Sequence, residues 1–176
     1  MSRTRWALEA APNPTVLRLH VDTELTNRTI VTCPPGDPPA VLAGLPEIDG
    51  VRSLDLHRYR ARLNLMPGAD AQAVAGDVTD LLRRALGEAE PLHDDEMPRA
   101  FGSMGRGGPR QVAESEEMAE RAGDPRLTSV FRVEGVVEAV AAPGLVLVRL
   151  GRLFAWNDAT TARVAAAVGD VDAAPL

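Results

Sequence analysis

Apolar and polar residues alternate along this chain in short runs punctuated by glycine and proline, and one such run occurs twice. Leu42-x-x-Leu45-x-x-Ile48-Asp49-Gly50-Val51 leads into two short apolar strands, and 85 residues later Leu127-x-x-Val130-x-x-Val133-Glu134-Gly135-Val136 leads into two more. Both copies read helix, acidic residue, Gly-Val, strand, tight turn, strand. Solenoid repeats have shorter periods, so this spacing predicts a duplicated small domain.

In the first copy, Thr15 to Val21 sets Leu17, Leu19 and Val21 apart from Val16 with a period of two, the mark of a strand. Pro12 and Pro14 keep the approach to it extended. The β-branched run Arg28 to Cys33 predicts a second strand, ended by Pro34 and Pro35. Pro38 or Pro39 can occupy the first turn of a short helix, Ala40 to Leu45, where a missing N–H costs nothing. Arg52 to His57 then pairs with Arg60 to Met66 across a turn at Arg58-Tyr59. Asp70 caps a helix to Leu86 that carries Val74, Val78, Leu81, Leu82 and Leu86 on one face.

Residues 1–88 therefore read ββαββα, and the acidic, proline-flanked stretch 89–97 reads as a linker. Residues 98–176 follow a divergent version of the same plan. It begins with an extended piece around Phe101 to Met104 and a glycine-rich turn, Gly105 to Gly108. A helix is expected from Pro109 to Ala122, and a second from Asp124-Pro125 through Val133. Val136 to Ala141 and Leu145 to Leu150 form a hairpin around Pro143-Gly144. Asp158 is expected to cap a last helix, Ala159 to Val168. This copy lacks the first strand or has replaced it. The predicted fold is α+β: two related small units, each an antiparallel β-sheet with helices packed on one face.

The two hairpins differ in their faces. With Arg58-Tyr59 as the turn, Ser53, Asp55, His57, Arg60, Arg62 and Asn64 share one face, and Leu54, Leu56, Ala61 and Leu63 share the other. That is a sheet with one wet side. In the second hairpin the equivalent wet face carries Val140, Ala142, Leu145 and Leu147, while Ala139, Ala141, Val146 and Val148 line the opposite one. A hairpin apolar on both faces needs cover on both, from the other unit, a partner protein or a second chain in a homodimer.

Composition narrows the classes. With 45% hydrophobic residues and mixed charge the chain reads as a folded globular protein. A formal charge of −6 disfavours nucleic acid, whose phosphates demand a dense basic surface. Cys33 is the single cysteine, which precludes an intrachain disulfide and fits a reducing cytoplasm. No apolar run reaches the roughly 18–20 residues that cross a bilayer, and Met1 to Trp6 lacks the apolar core of a secretion signal. A cytoplasmic protein without membrane contact is expected.

The stretch Ala11-Pro-Asn-Pro-Thr-Val-Leu-Arg-Leu19 resembles the opening of the N-terminal domain of Nfu-type (NifU-like) iron–sulfur scaffold proteins. Gly102-Ser-Met104, Ala119 through Leu127, Val130-Phe-Arg-Val-Glu-Gly-Val136 and Val146-Leu-Val148 are similar to the later part of that domain, in the same order. In that family the cluster is ligated by a Cys-x-x-Cys pair in a separate C-terminal domain, which has no counterpart here. The resemblance therefore implies the accessory domain of the scaffold, not the scaffold activity, since clusters are held mainly by thiolates.

Other candidate chemistry is sparse. Cys33, with His20 or His57, could bind iron or a cluster only through a dimer; otherwise it is a small apolar residue. His93-Asp-Asp-Glu96 offers four metal-capable side chains, but consecutive residues in a linker do not converge on one ion. Gly102 to Arg110 leads towards a helix and could attract an anion, although a Walker lysine is missing. Glu116-Glu117 lies on a polar helix, and no nucleophile arrangement stands out. The expected function is a non-enzymatic, cofactor-free docking module that binds an iron–sulfur scaffold or client protein. Its contacts would be His57, Arg58, Arg60 and Arg62 on one hairpin and Val140, Leu145 and Leu147 on the other.

Overall fold

Alternation of inward apolar and outward residues, interrupted at the glycine corners, produces two antiparallel sheets with helices against the inner face of each. The computed structural model describes residues 3–28, 31–33, 38–93, 97–102 and 108–172, with backbone alone for Val31, Cys33 and residues 170–172. The described residues form two units, one of residues 3–26 and 31–92, the other of 27–28 and 93–172. The fold is α+β.

The first unit runs β1 (Trp6–Ala10), β2 (Val16–Val21), β3 (Val31–Cys33), a 3-10 turn (Ala40–Leu42), β4 (Val51–His57), β5 (Arg60–Leu65) and α1 (Ala71–Leu86). Its strands lie in the order β1-β2-β5-β4-β3. Leu17, Leu19, Leu54 and Leu63 face inward against Val74, Val78 and Leu82 of α1. The Asp70 carboxylate accepts from the Gln72 and Ala73 N–H groups, the cap its position predicts. Instead of a helix from Ala40 to Leu45 there are linked turns, Leu45 N to Leu42 O and Ile48 N to Leu45 O. Gly44 at φ +83° and Pro46 break the continuous ladder.

Strand β1 is an addition to the expected plan. Its sequence, Trp-Ala-Leu-Glu-Ala, has weak strand character, and it is set by pairing with β2 from Trp6 opposite Val21 to Ala10 opposite Leu17. Trp6 is 1% exposed, and its indole Nε1 donates to the carbonyl of Gly87 at 2.7 Å.

The second unit runs β6 (Arg99–Gly102), β7 (Gln111–Ala113), α2 (Glu116–Ala122), α3 (Pro125–Phe131), β8 (Val136–Ala142), β9 (Leu145–Leu150) and α4 (Asp158–Asp172), with strand order β6-β9-β8-β7. Leu127, Phe131 and Val164 cover Ala139, Val146 and Val148. Two expectations are corrected. The helix foreseen from Pro109 begins only at Glu116, because Gln111 to Ala113 pairs with β8 and Ser115 caps α2 by accepting from Met118 N. The cap of α4 is Asn157, whose Oδ1 accepts from Thr160 N, and Asp158 is the first helical residue.

The hairpins correspond residue for residue at an offset of 85. Val51 opposite Leu65 matches Val136 opposite Leu150, and Leu54 opposite Leu63 matches Ala139 opposite Val148. Each has a register shift at the same place, between Val51 and Ser53 and between Val136 and Glu138. The corners also match: Met66 N donates to Gly50 O and Gly151 N to Gly135 O, both at 2.8 Å. By their partners β6 takes the place of β2 and β7 that of β3, while β1 has no counterpart among the described residues. Among those residues no helix is long and apolar enough to cross a membrane.

Candidate functional site on the outer sheet faces

Because the backbones correspond, the outer faces can be compared position by position. Across the first sheet Glu9, Arg18, Arg62, Asp55 and Thr32 stand side by side on five strands. The corresponding row of the second sheet is Ala100, Leu147, Val140 and Val112. A neighbouring row carries His20, Arg60 and His57 in the first sheet and Gly102, Leu145 and Ala142 in the second.

The charged row contains a conflict. Arg18 and Arg62 are direct cross-strand partners, and like charges in that relation destabilise a sheet. The carboxylates on either side relieve this only in part. Glu9 lies 3.9 Å from the Arg18 guanidinium but is bonded at 3.0 Å to Nε2 of His20, which is 5% exposed. Asp55 has both oxygens engaged, Oδ1 by the Thr32 hydroxyl and Oδ2 by the Asn64 amide, each at 2.8 Å. Partial burial pushes the Asp55 carboxyl upward, but the hydrogen bonds from Asn64 and Thr32 and the charge of Arg62 outweigh it and hold the group below its ordinary range. His57 is pushed down to about 4, first by burial and then by the charge of Arg60, against the pull of Asp55. It is neutral near pH 7.

A shallow groove of about 410 Å³ runs over this face, with Asn13, Val16 and Arg18 on one side and His57, Arg60 and Arg62 on the other. Asn13 belongs to the turn between β1 and β2, where its Oδ1 accepts from the N–H and hydroxyl of Thr15 and leaves the amide NH₂ as a donor.

Of the four residues expected on the first hairpin, His57, Arg60 and Arg62 lie on this face and Arg58 does not. Arg58 sits in the turn, 5% exposed, with Nη2 3.3 Å from Glu24 and its guanidinium over the Tyr59 ring, 5.3 Å from the centroid. The turn is buried because Leu25 N donates to Arg58 O and Val21 N to Tyr59 O. Strand alternation stops at a turn, so period-two reasoning does not carry through it. The third basic residue of the stripe is Arg18. Alternation in β2 sets it on one face with His20, but only the β2–β5 register brings it beside Arg62.

On the second sheet Val140 and Leu147 are half-buried on the outer face, whereas Leu145, 8% exposed, offers little contact area. Val112, 48% exposed and opposite Val140, joins them; its segment had been expected in a helix. The backbone of Cys33 pairs with Leu54. His93 is bonded through its backbone to Arg152, and residues 94–96 of the acidic run lie outside the described residues. So do residues 103–107 of the glycine-rich turn. Among the described residues no three histidine, cysteine or carboxylate groups come together as metal ligands.

No family model, curated protein or solved structure matches this chain. The local chemistry therefore carries the functional reading.

Proposed function

We propose that this chain is a non-catalytic docking module that holds a protein partner on the outer face of its first sheet. The observation that carries the reading is the Arg18–Arg62 pair within a row whose counterpart in the second sheet is apolar. A face that needed only to be wet would set opposite charges across from each other. A local rule broken on an otherwise regular sheet marks a place used for something besides stability. Asp55 and His20 are engaged in holding the sheet, the first by Thr32 and Asn64 and the second by Glu9. The tie to iron–sulfur assembly is supported by the resemblance of the Pro-Asn-Pro segment that leads into β2 and by the twice-used acidic-Gly-Val corner.

A photo-crosslinking residue at position 62, with a control at the exposed position 84 on α1, tests the reading in cell extract. The adduct is identified by mass spectrometry and the complex rebuilt from two purified proteins. One protein captured from position 62 and not 84, in a complex weakened by salt and by Arg62→Ser, supports the reading. No adduct above the control, or a rebuilt complex indifferent to Arg62→Ser, overturns it. A partner unconnected with iron–sulfur clusters overturns the assembly role alone.

A further inference from the structure

We propose that the groove between the Asn13 turn and strand β5 is a binding site for an extended acidic peptide segment, whose Asp or Glu carboxylates lie between Arg18 and Arg62. The proposal deepens the docking reading above by naming the chemistry of the partner.

It starts from the repulsion on the bare face. Arg18 and Arg62 stand directly opposed with one carboxylate each, Glu9 shared with His20 and Asp55 shared with Thr32 and Asn64, and Arg60 adds a third guanidinium to the same groove, so cations outnumber carboxylates between β2 and β5. A carboxylate placed there accepts from both forks, and charge-assisted bonds of that kind are the strong ones. The Asn13 amide and the neutral ring of His57 supply further donors along the groove without adding charge.

The shape favours a peptide over a compact anion. The donors are strung along the groove from the Asn13 turn to the end of β4 and are not gathered around one point. Arg60 and Arg62 stand two residues apart on one strand, about 7 Å, which is also the spacing of alternate side chains in an extended segment. Ala11 and Pro12 give the groove an apolar wall suited to the methylenes of glutamate. On a chain of net charge −6 a local basic groove also steers an acidic segment to this face and away from the remainder of the surface.

The test titrates the full chain, by calorimetry and by amide chemical shifts, with a synthetic peptide of alternating glutamate and threonine, with its glutamine counterpart, and with inorganic phosphate. The glutamate peptide is expected to bind, with shifts confined to residues 11–20 and 55–64. Affinity should fall roughly five- to tenfold between low and physiological salt, and by a similar factor in Arg18→Ser/Arg62→Ser. The glutamine peptide should not bind. An unchanged melting temperature shows that the double variant is folded; should it unfold, Arg62→Gln alone is used. Absence of glutamate-peptide binding, binding indifferent to the variants, or phosphate binding as tightly as the peptide each overturns the proposal. A rebuilt protein complex that weakens in Arg62→Ser but shows no acidic segment in the groove overturns this inference and leaves the docking reading standing. Peptide binding with no protein adduct at position 62 does the reverse.

Discussion

The two units share their inner architecture and differ on their outer faces. Leu54 and Leu63 are replaced by Ala139 and Val148 without disturbing register, bulge or corner, because the core constrains volume and pattern more than identity. Outside, Arg18-Arg62-Asp55-Thr32 stands where the other sheet has Ala100-Leu147-Val140-Val112, and Glu9 on β1 extends the first row. One backbone thus carries a charged row and, at the matching positions, an apolar one, with the Glu138–Arg149 ion pair beside the second. The lesson is that the inward positions hold the fold and the outward ones are free to be used.

The most damaging way to probe this shared backbone is at the corners. A Cβ at Gly50 would come 2.7 Å from Val74, and at Gly135 2.6 Å from the Phe154 ring, both at φ near +90°. Gly50→Val and Gly135→Val should each cost about 2–4 kcal/mol, the sum of backbone strain and overpacking. Chemical denaturation that finds one corner sensitive and the other tolerant would break the equivalence of the units.

The next contrast separates two arginines that the sequence pattern had grouped. Arg58→Ser removes a buried guanidinium packed on Tyr59 and paired with half-exposed Glu24, an expected loss of about 1–3 kcal/mol. Arg62→Ser, at an exposed position, should change stability by less than about 0.5 kcal/mol while weakening partner binding. Equal melting temperatures for the two variants would return Arg58 to the binding face.

The tryptophans sharpen the comparison further. Trp6 Nε1 is bonded to Gly87 O, whereas Trp156 Nε1 is buried with no hydrogen-bond partner among the described residues. Trp6→Phe should cost about 1–2 kcal/mol and Trp156→Phe less, since the second removes a donor that already lacks an acceptor. The reverse order, measured by thermal unfolding, would show that the indole bond does not anchor β1.

The smallest effect is a titration that the apolar sheet cannot show. His57 in the folded protein titrates near 4 and unfolded near 6.5, so between those values the unfolded chain takes up a proton that the folded chain refuses. Its contribution is complete above pH 6.5, falls as pH drops towards 4, and is level below that. Because the ring is partly exposed, screening reduces this to about 1 kcal/mol. Asp55, held below its ordinary 3.8, continues the loss on further acidification. His57→Gln should flatten the pH 4–6.5 portion of the stability curve and leave the steeper acid limb; a curve unchanged by His57→Gln would place the titration elsewhere.

Much of this architecture was legible in the chain. The two-residue turns and the alternation gave the pairing of both hairpins as far as the register shift beside each glycine corner, and Asp70 marked its helix. Strand β1 was not legible because a five-residue alanine-rich run takes its conformation from β2, not from its own propensity. The false helix at Pro109 followed a good start signal into a segment whose partner, β8, lies far along the chain. The binding face was half legible: alternation grouped Arg60, Arg62 and His57, but the neighbourhood of Arg18 and the withdrawal of Arg58 depend on long-range pairing.

That withdrawal of Arg58 into its turn has a consequence in time. The turn at Pro143-Gly144 is exposed and closes on local geometry, and hairpins of that kind form in roughly microseconds. The Arg58-Tyr59 turn is complete only when Val21 and Leu25 arrive from more than thirty residues away to donate to its carbonyls. Loop closure over that distance must come first, which makes the charged hairpin the later event. In pulse-labelled hydrogen exchange the amides of Ala139 to Val148 should gain protection before those of Leu54 to Leu63, so that the apolar platform exists before the charged one; simultaneous protection would mean that the buried turn sets no order.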